Sequence, residues 1–127
     1  MYTFKKEERL CNKKLIDELF HNGSSFLCYP FKVSWMFADP GQPFPAQVLF
    51  SVSKKRFKRA VDRNRVKRIS REVFRVNKQA VLYDQLNSIE KKIVVSLGYI
   101  GKELPEYHLA EKKMLKLMKQ LCAEAAR

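Results

Sequence analysis

Between Lys54 and Lys78 stand twelve basic side chains, Lys54, Lys55, Arg56, Lys58, Arg59, Arg63, Arg65, Lys67, Arg68, Arg71, Arg75 and Lys78, against two acids, Asp62 and Glu72. The chemistry open to such a run is anion binding. Guanidinium forks donate paired hydrogen bonds to phosphate oxygens and guanine edges, a geometry that the lysine point charge lacks. The segment carries +10 of a chain total of +13. Charge serving solubility alone would be spread along the chain, so its concentration in one fifth of the residues marks a surface for a polyanion.

The spacing sharpens this reading. At about 100° per residue on a helix, Val66, Ile69, Val73 and Val76 share one arc, which docks on the core, while Asn64, Lys67, Arg68, Arg71, Arg75 and Lys78 share the opposite arc and face out. Phe74 falls outside the apolar arc. The basic arc is costly in isolation: Arg63 with Lys67, Lys67 with Arg71, and Arg71 with Arg75 are like-charge i, i+4 pairs, each unfavourable by roughly 0.2 to 0.5 kcal/mol. Arg63 and Arg65 also sit at the positive end of the helix dipole, and Asp62 as N-cap offsets only part of that. Stability alone does not select such a helix, whereas bound phosphates reward it.

Other chemistries find less support. Cys11, Cys28 and Cys122 are odd in number and far apart, with no C-x-x-C pair, so they read as reduced, packed thiols. His21 and His108 have no partner at metal-ligand spacing and read as surface or capping residues. Hydrolysis of a phosphodiester by protein groups needs clustered carboxylates or a positioned acid and base, yet Asp62 and Glu72 lie ten residues apart on a basic helix. No catalytic residue and no metal held by the protein alone is assigned. No apolar run approaches the roughly 20 residues that span a bilayer, and Lys5, Lys6, Glu7, Glu8 and Arg9 are no apolar signal region. A cytoplasmic protein with no membrane partner is expected.

The elements that position the basic helix follow from periodicity. Asn12 suits the N-cap of a helix carrying Leu15, Ile16, Leu19 and Phe20, with Gly23 at its end. Phe31, Val33, Trp35 and Phe37 alternate with Lys32, Ser34 and Met36, a half-buried strand. After the breaker Asp39-Pro40-Gly41-Gln42-Pro43, Val48, Phe50 and Val52 form a second strand, and the pair is expected to make a hairpin. The basic helix spans about Val61 to Asn77. Gln79 to Lys92 stays open between a helical and an irregular link. Ile93-Val94-Val95-Ser96-Leu97 is a third strand. A last helix carries Met114, Leu115, Leu117, Met118, Leu121 and Cys122, with Glu103 and Glu106 near its start. The order helix, strand, strand, helix, strand, helix in 127 residues predicts a single α+β domain over 1–127, helices packed on a small sheet.

These residues carry a resemblance. Phe50-Ser51-Val52-Ser53-Lys54-Lys55, a gap of four, Ala60-Val61-Asp62-Arg63-Asn64-Arg65-Val66-Lys67-Arg68 and then Arg71-Glu72 resemble the signature of the bacterial ribonuclease P protein family. In that family a strand runs into a loop and a so-called RNR helix. The resemblance implies an α+β fold with a small, mainly antiparallel sheet and a left-handed β-α-β crossover, ribosomal-protein domain 2-like. The general rule for crossovers predicts the opposite hand.

It further implies that Lys54, Lys55, Arg63, Asn64, Arg65, Lys67, Arg68, Arg71 and Arg75 contact a catalytic RNA. A cleft marked by Ile16, Phe20, Lys32, Ser34 and Lys54 would receive the single-stranded 5′ leader of precursor tRNA. Where many relatives carry cleft aromatics this chain has Ile16 and Ser34, which leaves Phe20, with Tyr29 or Met36 as substitutes; core packing is the competing reading of Phe20. The implied magnesium belongs to the RNA subunit, not to this chain. The implied partners are the catalytic RNA and precursor tRNA, not DNA. A basic ribosomal or RNA-chaperone protein, and a DNA-binding regulator with its helix in a major groove, remain competing readings of the charge pattern by itself.

Overall fold

The computed structural model describes residues 5–39, 41 and 43–127, so Pro40 and Gln42 of the expected breaker lie outside the described residues. Helix α1 (Lys13–Asn22) opens as its sequence predicts, the Asn12 carboxamide accepting the Leu15 N–H at 3.2 Å. Its end at Gly23 has a steric cause. Gly23 has an ordinary φ of −72°, but a Cβ there would stand 2.4 Å from the Leu19 carbonyl oxygen and 3.0 Å from that of Trp35. Gly23→Ala is expected to destabilise the fold by about 1 to 3 kcal/mol, the usual cost of overpacking, measured as a lower urea midpoint at unchanged m-value.

Strands β1 (Ser24–Cys28), β2 (Phe31–Phe37), β3 (Ala46–Val52) and β4 (Ile93–Tyr99) form one sheet in the order β1-β2-β4-β3. β1 with β2 and β2 with β4 are antiparallel, and β3 with β4 is parallel. The expected hairpin of the second and third of these strands is therefore wrong: β4 lies between β2 and β3. Helix α2 (Ala60–Lys78) is the crossover that brings the chain from β3 back to the parallel β4. The composition of β4 explains its central place, because Ile93, Val94, Val95 and Leu97 are buried on both faces, as a strand covered on two sides requires. β1 escaped sequence reading because its one exposed apolar residue, Leu27, breaks the alternation.

The register sorts the sheet into two faces. Phe31, Val33 and Trp35, Val48 and Phe50, and Ile93, Val95, Leu97 and Tyr99 enter the main core under α2 and α4 (Tyr107–Ala125). On the other face Val94, Met36 and Leu49 meet Leu15, Ile16 and Leu19 of α1. Glu106 caps α4, accepting the His108 and Leu109 N–H groups at 3.1 and 2.9 Å, and those bonds hold its carboxyl below the usual carboxylate range. Trp35 Nε1 donates to Glu124 at 3.1 Å, tying α4 to β2.

Three expectations for α2 are corrected. Arg59, not Asp62, is the N-cap, without a side-chain bond. The buried face is Val66, Ser70, Val73, Phe74 and Lys78, so Phe74 is a core residue packed edge-on to Phe50, while Ile69 and Val76 are half-buried. Lys78 does not face out: its side chain is buried and ion-paired with Glu8, which also accepts the Tyr83 hydroxyl at 2.5 Å. The helical path continues beyond α2 through a π turn (Gln79–Tyr83) into the short α3 (Asp84–Ser88), which resolves the open link. Cys28 and Cys122 pack as expected, but Cys11 is exposed. His21 caps its own helix through Nδ1 against the Asp17 carbonyl at 2.7 Å. Among the described residues no helix is long and apolar enough to cross a membrane.

Candidate nucleic-acid interface

The outward arc of α2 presents Asn64, Arg65, Arg68 and Arg71, all exposed, with Lys67 half-exposed beside them. Together with Arg59 these side chains line a shallow concavity along the helix. Among the described residues no acid lies within ion-pair distance of Arg65, Lys67, Arg68 or Arg71. The two remaining arginines of the predicted set are engaged within the protein. Arg63 folds back from the first turn and donates at 2.8 Å to the carbonyls of both Phe57 and Lys58, so it shapes the entry loop. Arg75 is bound by Glu72 through two bonds of 3.0 and 2.5 Å, which lower the Glu72 pKa and raise that of Arg75.

The loop from β3 to α2 is held at both ends. The Ser53 carbonyl accepts the N–H groups of Arg56 and Phe57, and Ser53 Oγ accepts the Lys55 N–H at 3.1 Å. Phe57 is buried beside the Tyr99 ring, at 6.0 Å between centroids. Lys54 and Lys55 follow the end of β3 in this loop, and both are exposed.

That opposite face is open where α1 stops covering it. Register places Lys32, Gly98 and Ser51 in one row across β2, β4 and β3, and Ser34, Ser96 and Leu49 in the next. Phe20 stands over this floor, and Ser53, Tyr99 and Ile100 close its end. Phe20 is 58% exposed, which rules out core packing as its role and leaves an apolar ring facing an open polar cleft. Gly98 keeps the floor deep: a Cβ there would meet Ser51 Oγ at 3.4 Å, an ordinary contact, so a side chain would fill the cleft without clashing.

Of the five predicted cleft residues the structure brings Phe20, Lys32 and Ser34 together. Ile16 is instead half-buried in the second core beneath α1, because its position one turn before Phe20 lies over Val94. Lys54 lies past the end of the strand, and Ser53 takes its place in the lining. Neither suggested substitute is among the residues lining this cleft: Met36 packs with Ile16, and Tyr29 is exposed at the β1–β2 turn, lining a separate concavity with Leu104 and Leu109. Sequence reasoning missed Ser51, Ser96, Gly98 and Leu27. Leu27 is 62% exposed and directly across from Lys32 on the same face. The available signal was Ser51 and Ser53 alternating with the apolar Phe50 and Val52, and the glycine that interrupts β4.

The arrangement therefore holds two surfaces on opposite sides of one sheet. One is a row of fork-shaped cations suited to phosphates. The other is a small-residue cleft with one exposed ring and one lysine, suited to an extended single strand stacked on an aromatic. Among the described residues no group of three or more His, Cys, Asp or Glu side chains is placed to hold a metal ion.

Comparison with known proteins bears on the family and the fold. The family model Ribonuclease P matches residues 4–122. The ribonuclease P protein component of Porphyromonas gingivalis is 36% identical over 115 residues, covering 91% of this chain and 83% of the relative. That of Chlorobium phaeobacteroides is 36% identical over 127 residues, covering 91% and 86%. The solved structure of the RNase P protein from Thermotoga maritima superposes with a TM-score of 0.70 at 25% identity, covering 89% of this chain and 96% of that one.

Proposed function

This chain belongs to the ribonuclease P protein family, the protein component of an endoribonuclease that processes tRNA 5′ ends, and we propose that its two surfaces divide the work between two RNAs. The arginine arc of α2, with Lys54 and Lys55, binds the RNA subunit, and the cleft of Phe20, Lys32 and Ser34 takes the single-stranded leader of precursor tRNA. The chain is a non-catalytic subunit of the ribonucleoprotein. In this reading the RNA subunit holds the magnesium ions that activate water, and the protein screens phosphate repulsion and positions the substrate, in the cytoplasm and without DNA.

The observation that carries the division is the unpaired row Arg65, Arg68 and Arg71. These guanidiniums repel one another along one helix, and among the described residues no acid lies within ion-pair distance of them, Asp62 only lining the same concavity, so a folded anion is the missing counterpart. Arg63 and Arg75, which the family resemblance places with them, contribute through the loop and through Glu72 instead.

The cleft is tested by reconstitution with the RNA subunit from the same bacterium at low magnesium. Phe20→Ala is expected to weaken binding of leader-bearing precursor tRNA by about 5- to 150-fold, the equivalent of roughly 1 to 3 kcal/mol for one stacked base. Binding of precursor whose leader has been trimmed away is expected to stay unchanged. Equal losses for both substrates would remove the leader from the cleft, and 5′ cleavage by the protein alone would overturn its role as a non-catalytic subunit.

A further inference from the structure

Before α1, the chain forms a strap along the free edge of β3. Arg9 bridges Val48 in the parallel sense, the Leu10 N–H donates to the Val48 carbonyl at 3.0 Å, and Gln47 Nε2 donates to the Glu7 carbonyl at 3.0 Å. The anchor is Glu8, fully buried, whose carboxylate takes the Lys78 ammonium, the Tyr83 hydroxyl and, at 2.9 Å, the Lys5 N–H. These contacts use the main chain and Glu8. The side chains of Lys5, Lys6 and Arg9 are left exposed, and no acid among the described residues lies within ion-pair distance of them.

Position relative to the arginine arc gives the strap its meaning. On α2, Lys67, Arg71 and Lys78 are separated by four and seven residues, so at about 100° per residue they lie within a narrow band along one side of the helix. Lys78 ends that band against Glu8. The strap is therefore anchored on the flank where the exposed cations of α2 run out, with Lys5, Lys6 and Arg9 exposed within three residues of that anchor. Beyond it Lys13 and Lys14 occupy the first turn of α1, which has no acid to offset them at the disfavoured end of the helix dipole. Of the acids in this stretch only Glu7 reaches solvent before α1.

We propose that Lys5, Lys6 and Arg9 form a second phosphate-binding rail, continuous with the arginine arc, for the backbone of the same structured RNA. This rests on the assignment of that arc to the RNA subunit. The rail is rigid because buried contacts fasten it, so it adds charge at a fixed separation from Lys67 and Arg71. Its bonds to β3 are at Gln47 and Val48, three or more residues before Ser51 and Ser53, the residues at the far end of β3 that line the cleft.

The test uses the full-length chain with the RNA subunit, measuring affinity across a salt series. For Lys5→Ala/Lys6→Ala/Arg9→Ala the slope of log affinity against log salt is expected to fall by about 2 to 3, close to 0.9 for each phosphate that is no longer neutralised. Affinity near physiological salt is expected to drop at least 10-fold, with the thermal midpoint and the leader dependence unchanged. Glu7→Lys, which adds a cation on the same rail without touching its anchors, is expected to steepen the slope by about 1. An unchanged slope in both variants overturns the rail, as does a loss confined to leader-bearing precursor, which would assign the strap to the substrate. A wild-type protein whose RNA affinity is insensitive to salt would instead bring down the parent assignment of the arginine arc, and the rail with it.

Discussion

Glu8→Ala is expected to lower the stability of this protein by about 3 to 5 kcal/mol, the range for breaking a buried ion pair from one side, and the thermal midpoint by roughly 10 to 20 °C. The substitution leaves the Lys78 ammonium buried without its carboxylate and takes the acceptor from the Tyr83 hydroxyl. Burial and the bond to Glu8 raise the Tyr83 pKa, so the phenol stays protonated and donating throughout the physiological range. Glu8→Gln, which keeps the shape and accepts both bonds without the charge, is expected to fall between wild type and Glu8→Ala. Glu8→Leu/Lys78→Met is expected to recover part of the loss, since apolar groups of similar volume often replace a buried pair at no net cost, while the Tyr83 hydroxyl still lacks its acceptor. Urea unfolding followed by far-UV circular dichroism checks all three. A Glu8→Ala protein within about 1 kcal/mol of wild type would mean that Lys78 escapes to solvent, and the strap would lose its anchor.

The second large effect concerns binding and leaves folding alone. Arg65→Ala/Arg68→Ala/Arg71→Ala is expected to weaken assembly with the RNA subunit at least 100-fold near physiological salt and to reduce the salt slope by about 3. Its stability is expected to hold or rise slightly, because the i, i+3 and i, i+4 repulsions along α2 disappear, each worth a few tenths of a kcal/mol. Opposite signs for binding and folding separate a surface arranged for a ligand from one arranged for the fold. A single Arg63→Ala is predicted to behave otherwise, losing stability as well as affinity, since its guanidinium ties two loop carbonyls. Intact binding by a folded triple variant would move the RNA contact off α2.

How much of this was legible depends on the range of the interaction involved. Local periodicity gave α1 and its Asn12 cap, the approximate extents of β2, β3 and α2, and the outward direction of Asn64, Arg68 and Arg71. Long-range pairing was not legible. Nothing local in Phe31–Phe37 or Ala46–Val52 says that Ile93–Tyr99 inserts between them, although the consecutive apolar residues Ile93, Val94 and Val95 were the mark of a two-sided strand. Lys78 shows the limit of a helical wheel most clearly, since one angle fits equally a cation facing solvent and one facing Glu8 seventy residues away in the chain. Phe20 shows the converse: periodicity drew it into the apolar stripe of α1, and only the opening of the floor beneath it leaves the ring in solvent.

The central place of β4 also orders events in time. β2 and β3 share no ladder, so a nascent chain that has reached only α2 carries two strands whose common neighbour has not been made. At about 5 to 20 residues per second, the wait from the end of β3 to the end of β4 is on the order of 2 to 10 s. Throughout that wait both strands keep an open edge toward the gap, and the apolar residues of both sheet faces are incompletely covered. The cationic crossover is synthesised inside this interval, and its repulsion for other copies of itself discourages the half-built edges from meeting. The same arginines that await an RNA in the finished molecule thus guard the unfinished one from its own kind.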